Sequence, residues 1–221
     1  MTAAPSVTAA PLLTARELER VFLLGAEEIR ALHDVELDVH AGELLVITGR
    51  SGSGKTTLLN LLAGLDVATS GTVHLEGQDL AKLTEWQLAQ LRRRKIGFVF
   101  QSFGLLPLLS AFENIELALR IAEWDRAERN RRTQECLELV GLGDRAGHRP
   151  YELSGGEQQR VAVARSMAHH PSIIFADEPT GELDSTTGSA IFKLLRNIAD
   201  REQVAVVVAS HDVNVASKFA T

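Results

Sequence analysis

The residues best suited to chemistry form one run, Gly49-Arg50-Ser51-Gly52-Ser53-Gly54-Lys55-Thr56, which fits the phosphate-loop pattern G-x-x-x-x-G-K-[ST] at every position. Ahead of it, residues 43–48 read as a short buried strand; behind it, residues 57–63 read as a helix. A strand, a glycine-rich turn and a helix gather backbone N–H groups and the positive end of a helix dipole around one anion. Gly52 and Gly54 let the main chain curl close to phosphates. Lys55 would reach the β- and γ-phosphates, and the Thr56 hydroxyl would ligate Mg²⁺. The run predicts a nucleoside triphosphate site.

A second anion cradle lies 100 residues on. Leu153-Ser154-Gly155-Gly156-Glu157-Gln158-Gln159-Arg160 opens a helix that continues through Val161, Ala164, Arg165 and Met167. Ser154 is a good N-cap, and the two glycines expose further N–H groups. Alone, such a motif is often only a cap; beside a phosphate loop it suggests a site closed from a second side. Residues 172–176 then form a buried strand delivering Asp177 and Glu178, stopped by Pro179. An acidic turn after a strand is common, but next to a phosphate loop the two carboxylates can divide the labour of hydrolysis. Asp177 would hold Mg²⁺ and Glu178 would polarise the attacking water. After a polar loop (180–184) and a helix (188–200), the strand 204–209 ends at Ser210-His211-Asp212. That places His211 on the same sheet edge as Gln101 and Asp177, where α/β sheets bind ligands.

The chain that must position these groups has 221 residues, 45% hydrophobic and 24% charged, enough for one large domain or for one domain with a sizeable insertion. A net charge of −6 argues against broad nucleic-acid binding. No apolar run approaches the roughly 20 residues of a membrane span. The opening residues read as a disordered tail, not a signal peptide. The single Cys136 excludes an internal disulfide and a multi-cysteine metal site, suits a reducing cytoplasm, and reads as a helix-buried thiol without a role.

Two alternating strands, around residues 31–40 and 72–76, predict an antiparallel layer beside a parallel core. His33, His40 and His74 share no ligand spacing and read as surface residues. A helix from about Thr84 ends in Arg92-Arg93-Arg94-Lys95, a basic run expected to stay solvated. Residues 96–100 form another buried strand, with Gln101 at its end. The apolar stretch Phe103, Leu105, Leu106, Pro107, Leu108, Leu109 reads equally as a small core or a docking surface. Helices follow over about 111–141, where Arg126, Arg129, Arg131 and Arg132 among Glu128 and Glu135 predict a solvated mixed-charge face. No heptad register is sustained, so no coiled-coil arm is expected.

Taken together, these motifs resemble the ATP-binding subunit of an ATP-binding cassette (ABC) transporter, from about Arg16 to the end of the chain. The resemblance implies an α/β fold: a RecA-like P-loop NTPase core, an antiparallel β side layer and a helical subdomain inserted over about 102–165. It divides the chain into a tail, 1–15, and a nucleotide-binding domain, 16–221. It makes Gly49–Thr56, with Thr57 beside it, the Walker A loop, Gln101 the Q-loop glutamine, and Leu153–Arg160 the signature. Asp177 and Glu178 match the Walker B aspartate and catalytic glutamate, Asp184 the D-loop aspartate, and His211 the switch histidine. Phe22 stands where the family places an adenine-stacking aromatic, more usually tyrosine. The implied catalytic set is Lys55, Gln101, Glu178 and His211, with Mg²⁺ held by Thr56, Gln101 and Asp177. In this family the signature acts in trans, so Ser154, Gly155 and Gly156 of one copy would close on the ATP held by Lys55 of another.

The run Phe98–Pro107, Glu113-Asn114-Ile115 and Pro179–Asp184 are similar to the macrolide-export and lipoprotein-release branch. That implies a homodimer on the cytoplasmic face of a bacterial inner membrane, driving a separate permease that docks at Gln101–Leu109 and does mechanical work outside the membrane. A cell-division-type signalling ATPase shares the same motifs. A soluble cassette acting on nucleic acid is disfavoured by the acidity and by the lack of coiled coils or tandem cassettes. Family members usually continue beyond the switch histidine with a helix and two strands, whereas this sequence ends at Thr221, so a fragment or an incomplete sheet edge is expected.

Overall fold

The computed structural model describes residues 10–25 and 27–212. β1 (Leu13–Leu24) and β2 (Glu27–Val39) pair as a long antiparallel hairpin, and β3 (Leu44–Thr48) leads into α1 (Lys55–Leu62). β4 (Ser70–Leu75) and the short β5 (Gln78–Asp79) follow, then α2 (Glu85–Lys95) and β6 (Ile96–Val99). Three helices come next: α3 (Ala111–Ile121), α4 (Arg126–Leu139) and α5 (Gly155–Met167). β7 (Ile173–Asp177), α6 (Ser185–Glu202) and β8 (Ala205–Ser210) are the last elements among the described residues.

The strands form two sheets. One is antiparallel, in the order β2-β1-β4-β5; the other is parallel, in the order β3-β8-β7-β6. On β2 the half-buried Val35 and Leu37 alternate with exposed Glu36 and Asp38, as a strand with one wet face requires. β8 is buried along its whole length because both its faces are covered. Val206 and Val208 join the core under α3, α5 and α6, whereas Ala205, Val207 and Ala209 pack toward α1 and the antiparallel sheet. The helix starts are set by side chains: Thr84 with Gln87 and Ser110 with Glu113 make capping boxes, and Asp125 caps α4.

Four details differ from the sequence reading. β1 begins at Leu13, and Leu13 and Ala15 are wholly buried, so ordered structure starts ahead of residue 16. α1 begins at Lys55, because Gly54 is its N-cap. The basic run closing α2 is paired: Arg92 donates to the Gly64 carbonyl at 2.6 Å, Arg93 meets Glu123, and Lys95 meets Glu76 at 3.0 Å. The α4 arginines do not all face water either. Arg132 is buried, donating to the Ala168 carbonyl at 3.2 Å and to Glu202 at 3.0 Å, and Arg129 bonds Glu116 at 2.9 Å. Cys136 is buried in the same helix, and desolvation pushes its thiol up to about 11.

Candidate functional site

The first cradle is built where β3 ends. Gly54 adopts φ +88°, and a Cβ there would lie 2.5 Å from the Ala31 carbonyl oxygen, so only glycine fits this turn. Glycine supplies no capping side chain, so the first N–H groups of α1 point into the loop unspent. Lys55 opens the helix and is only 8% exposed. Its Nζ donates to the carbonyls of Gly49 at 2.8 Å and Arg50 at 3.2 Å, and lies 3.4 Å from Glu178 Oε1. A largely dehydrated ammonium thus sits between two loop carbonyls and the Glu178 carboxylate.

Across the sheet edge, the Thr56 hydroxyl donates to Asp177 Oδ2 at 2.8 Å. Asp177 Oδ1 is buried and finds no hydrogen-bond partner among the described residues. Glu178 follows with φ +46°, a strained conformation for a residue with a side chain. Its N–H donates to the Ala209 carbonyl at 2.9 Å, and its Oε2 lies 2.7 Å from His211 Nδ1 and accepts the His211 N–H at 3.1 Å. The neighbouring ends of β7 and β8 therefore fix the Glu178–His211 contact. A cavity of about 530 Å³ opens between these groups, its lining including Ser51, Gly52, Thr57 and Gln101 as well as Lys55, Thr56, Glu178 and His211.

Other predicted residues lie apart from that cavity. Ser154 caps α5 through a box with Glu157: the Ser154 N–H and hydroxyl donate to Glu157 Oε2 at 2.8 and 2.7 Å. These hydrogen bonds hold the Glu157 carboxyl below its ordinary value. Gly155 stands against Leu183 and Phe103; a Cβ on Gly156 would lie 2.6 Å from Thr187 Cγ2, so α6 packs against the signature turn. Asp184 caps α6, accepting from the N–H groups of Thr186 and Thr187 at 2.9 and 3.0 Å. The Thr187 hydroxyl, above all, keeps the Asp184 carboxyl below its usual range. Phe22 lies on β1 opposite Ile29, with the Arg20 guanidinium 4.4 Å from its ring centroid.

Three polar residues make buried or long-range hydrogen bonds that the sequence does not announce. Gln159 is wholly buried, and its Nε2 donates to the Pro179 carbonyl at 2.7 Å. Arg165, from the same helix, donates to the carbonyls of Gly104 at 2.5 Å and Phe103 at 3.1 Å. Asn114, also wholly buried, donates to the Leu106 and Leu109 carbonyls at 3.1 Å each and accepts the Leu106 N–H. The available signal was positional. Gln159 falls three and four residues before Ala162 and Val163, both core residues, so a polar group occupies an inward helix position.

A glycine-rich phosphate cradle at the carboxyl edge of a parallel sheet, with an acidic pair at the end of β7 two strands away, defines a P-loop nucleoside triphosphatase. The comparisons narrow that class. The family model described as ABC transporter matches residues 32–181. The chain is 45% identical over 208 residues to the lipoprotein-releasing system ATP-binding protein LolD of Shewanella denitrificans, covering 94% of this chain and 89% of that protein. It is 44% identical over 208 residues to the macrolide export ATP-binding/permease protein MacB of Escherichia coli K12, covering 94% of this chain but only 32% of that longer one. A dimeric structure of the ATP-binding cassette MJ0796 from Methanocaldococcus jannaschii, in a post-hydrolysis state bound to ADP and Pi, superposes with a TM-score of 0.84. It shares 43% identity and covers 94% of this chain and 91% of that one. The chain belongs to the ABC transporter ATP-binding family: it is an ATP-binding and ATP-hydrolysing subunit of the kind that powers a membrane permease. Among the described residues, no helix is long and apolar enough to cross a membrane.

Proposed function

We propose that two copies of this chain sandwich two ATP molecules and hydrolyse them to drive a permease of the lipoprotein-release or macrolide-export kind. The observation that carries this reading is the convergence of Lys55, Thr56, Gln101, Glu178 and His211 on one cavity at the sheet edge. The loop N–H groups and Lys55 take the triphosphate, the ammonium trading two carbonyls for phosphate oxygens. Thr56, Asp177 and Gln101 fit Mg²⁺: each can offer an oxygen, and Asp177 Oδ1, without a hydrogen-bond partner among the described residues, has its acceptor capacity free for a cation. When bound, that ion neutralises charge on the phosphates. Glu178 accepts a proton from water as the water oxygen bonds the γ-phosphorus and the bond to the bridging oxygen of ADP breaks. His211 orients its carboxylate.

Phe22 stacks on adenine, and Ser154, Gly155, Gly156 and Asp184 meet the nucleotide held by the other copy. MJ0796, similar over most of its length, is dimeric, which supports the paired arrangement. The permease docks along Gln101–Leu109. There Asn114 locks the main chain while Leu108 stands 81% exposed and Leu106 46% exposed, so this segment offers apolar side chains on a fixed backbone. The resulting location is the cytoplasmic face of the inner membrane. The test is ATP hydrolysis with sedimentation of wild type and Glu178→Gln in Mg·ATP. Turnover by wild type and an ATP-dependent dimer of the variant are expected; normal turnover by the variant overturns the role of Glu178.

A further inference from the structure

We propose that Gln159 is the positioning residue that ties the signature helix to the Gln101 and Glu178 segments of its own chain. This rests on the reading of Glu178 as the base. Gln159 lies on α5, one turn beyond the Ser154 cap, and is wholly buried. Its Nε2 donates to the Pro179 carbonyl at 2.7 Å and approaches the Phe100 carbonyl at 3.4 Å. Both partners are acceptors, so the amide has one workable orientation; the flipped form would set oxygen against two carbonyls.

Those carbonyls flank the chemistry. Pro179 directly follows Glu178, and Phe100 directly precedes Gln101. The main chain of Glu178 is otherwise anchored through its N–H to Ala209 at 2.9 Å and through its carbonyl to the Gly181 N–H at 3.0 Å. Proline has no N–H, so the Pro179 carbonyl is that residue's one main-chain hydrogen-bonding group, and Gln159 engages it. The two segments also touch directly, since a Cβ on Gly181 would lie 3.0 Å from Gln101 Nε2. One amide therefore clips both together from behind the cavity.

Packing does not account for an amide here. Gln159 Oε1 is buried without a hydrogen-bond partner among the described residues, whereas a methionine of similar length would fill the space with no such group left over. What the amide adds is a rigid link. α5 carries the Ser154–Gly156 cradle, so a shift of α5 when that cradle meets a phosphate moves the Pro179 carbonyl and, with it, Glu178. The trans contact is thereby reported to the base of the same chain.

The test compares Gln159→Met, Gln159→Asn and Glu178→Gln with wild type, in the full chain with Mg·ATP. In Gln159→Met, kcat is expected to fall about tenfold to a hundredfold, the scale of small misplacements of a catalytic group, while KM for ATP and the unfolding temperature hold. Gln159→Asn keeps a donor drawn back by one methylene and loses less; it carries the test if the methionine variant does not fold. ATP-dependent dimers of Gln159→Met in the Glu178→Gln background should form as in Glu178→Gln alone. An unchanged kcat in Gln159→Met, or in Gln159→Asn where the methionine variant does not fold, overturns the proposal, as does a loss that tracks weaker ATP binding or a lower unfolding temperature. Wild-type turnover by Glu178→Gln would instead remove the base assignment itself, so the two failures are distinguishable.

Discussion

The two helix N-termini at the heart of this molecule are prepared in opposite ways. α1 starts at a glycine, its first turn is Lys55-Thr56-Thr57, and its N–H groups are left for a ligand. α5 starts at Ser154, whose hydroxyl and N–H are both spent on Glu157, a carboxylate in the first turn. The first is an open cationic cradle that one chain completes by itself. The second is closed on its own acid, so a phosphate must displace or share that hydrogen bond. The asymmetry suits a machine that loads nucleotide first and pairs second: the capped helix end keeps its dipole, but a phosphate there would compete with the Glu157 carboxylate for the Ser154 hydroxyl.

The largest effects should come from breaking the open cradle. Lys55→Ala removes the charge that centres the loop, and ATP binding, read by equilibrium titration, should be lost together with turnover. Glu178→Gln should leave binding intact and cut turnover by about 10²–10⁴, the usual contribution of a positioned base. If the lysine variant bound ATP as wild type does, the contrast between the cradles would fail at its first term. A smaller effect is expected at Phe22. Loss of an aromatic stacking surface costs about 1–3 kcal/mol, so Phe22→Ala should weaken ATP affinity by about 5-fold to 150-fold and leave GTP discrimination little changed. An unaltered affinity would remove the ring from the site and leave it as a cover for Arg20.

The open cradle was legible in the sequence because its chemistry and its local backbone demands coincide in consecutive residues. Gly54 both permits the turn and ends in a helix cap, and Lys55 follows at once. The parallel strands were legible as unbroken apolar runs for a similar reason, burial on both faces. What could not be read was pairing at a distance. Arg132 looks like one more arginine on a solvated face until Glu202, 70 positions on, is placed opposite it. Gln159 meets Phe100 across 59 positions and Pro179 across 20. A helix pattern tells which way a side chain points but not which carbonyl waits there. The basic end of α2 failed likewise, since its partners Gly64, Glu76 and Glu123 come from three separate segments.

The smallest prediction sharpens the comparison most, because it tries to convert the closed cradle into an open one. Glu157→Gln keeps the capping box, which glutamine also makes, so α5 should fold as before. It removes a negative charge from the turn that would face the triphosphate in a dimer. Two unit charges 4 Å apart repel by about 1 kcal/mol in bulk water, so in a Glu178→Gln background the ATP needed for half-dimerisation should fall about fivefold. Added salt should shrink the gain, as screening does for exposed charges. Acid gives an independent check on the sign. The Glu157 carboxyl is held below its ordinary value by Ser154, so its cap contributes fully above the ordinary carboxylate range and is lost as pH falls through the depressed value. Wild type should therefore lose a small part of its stability in acid that Glu157→Gln does not lose. A variant that dimerises no more readily than its parent would mean that the carboxylate never faces phosphate, and that the second cradle is closed by geometry alone.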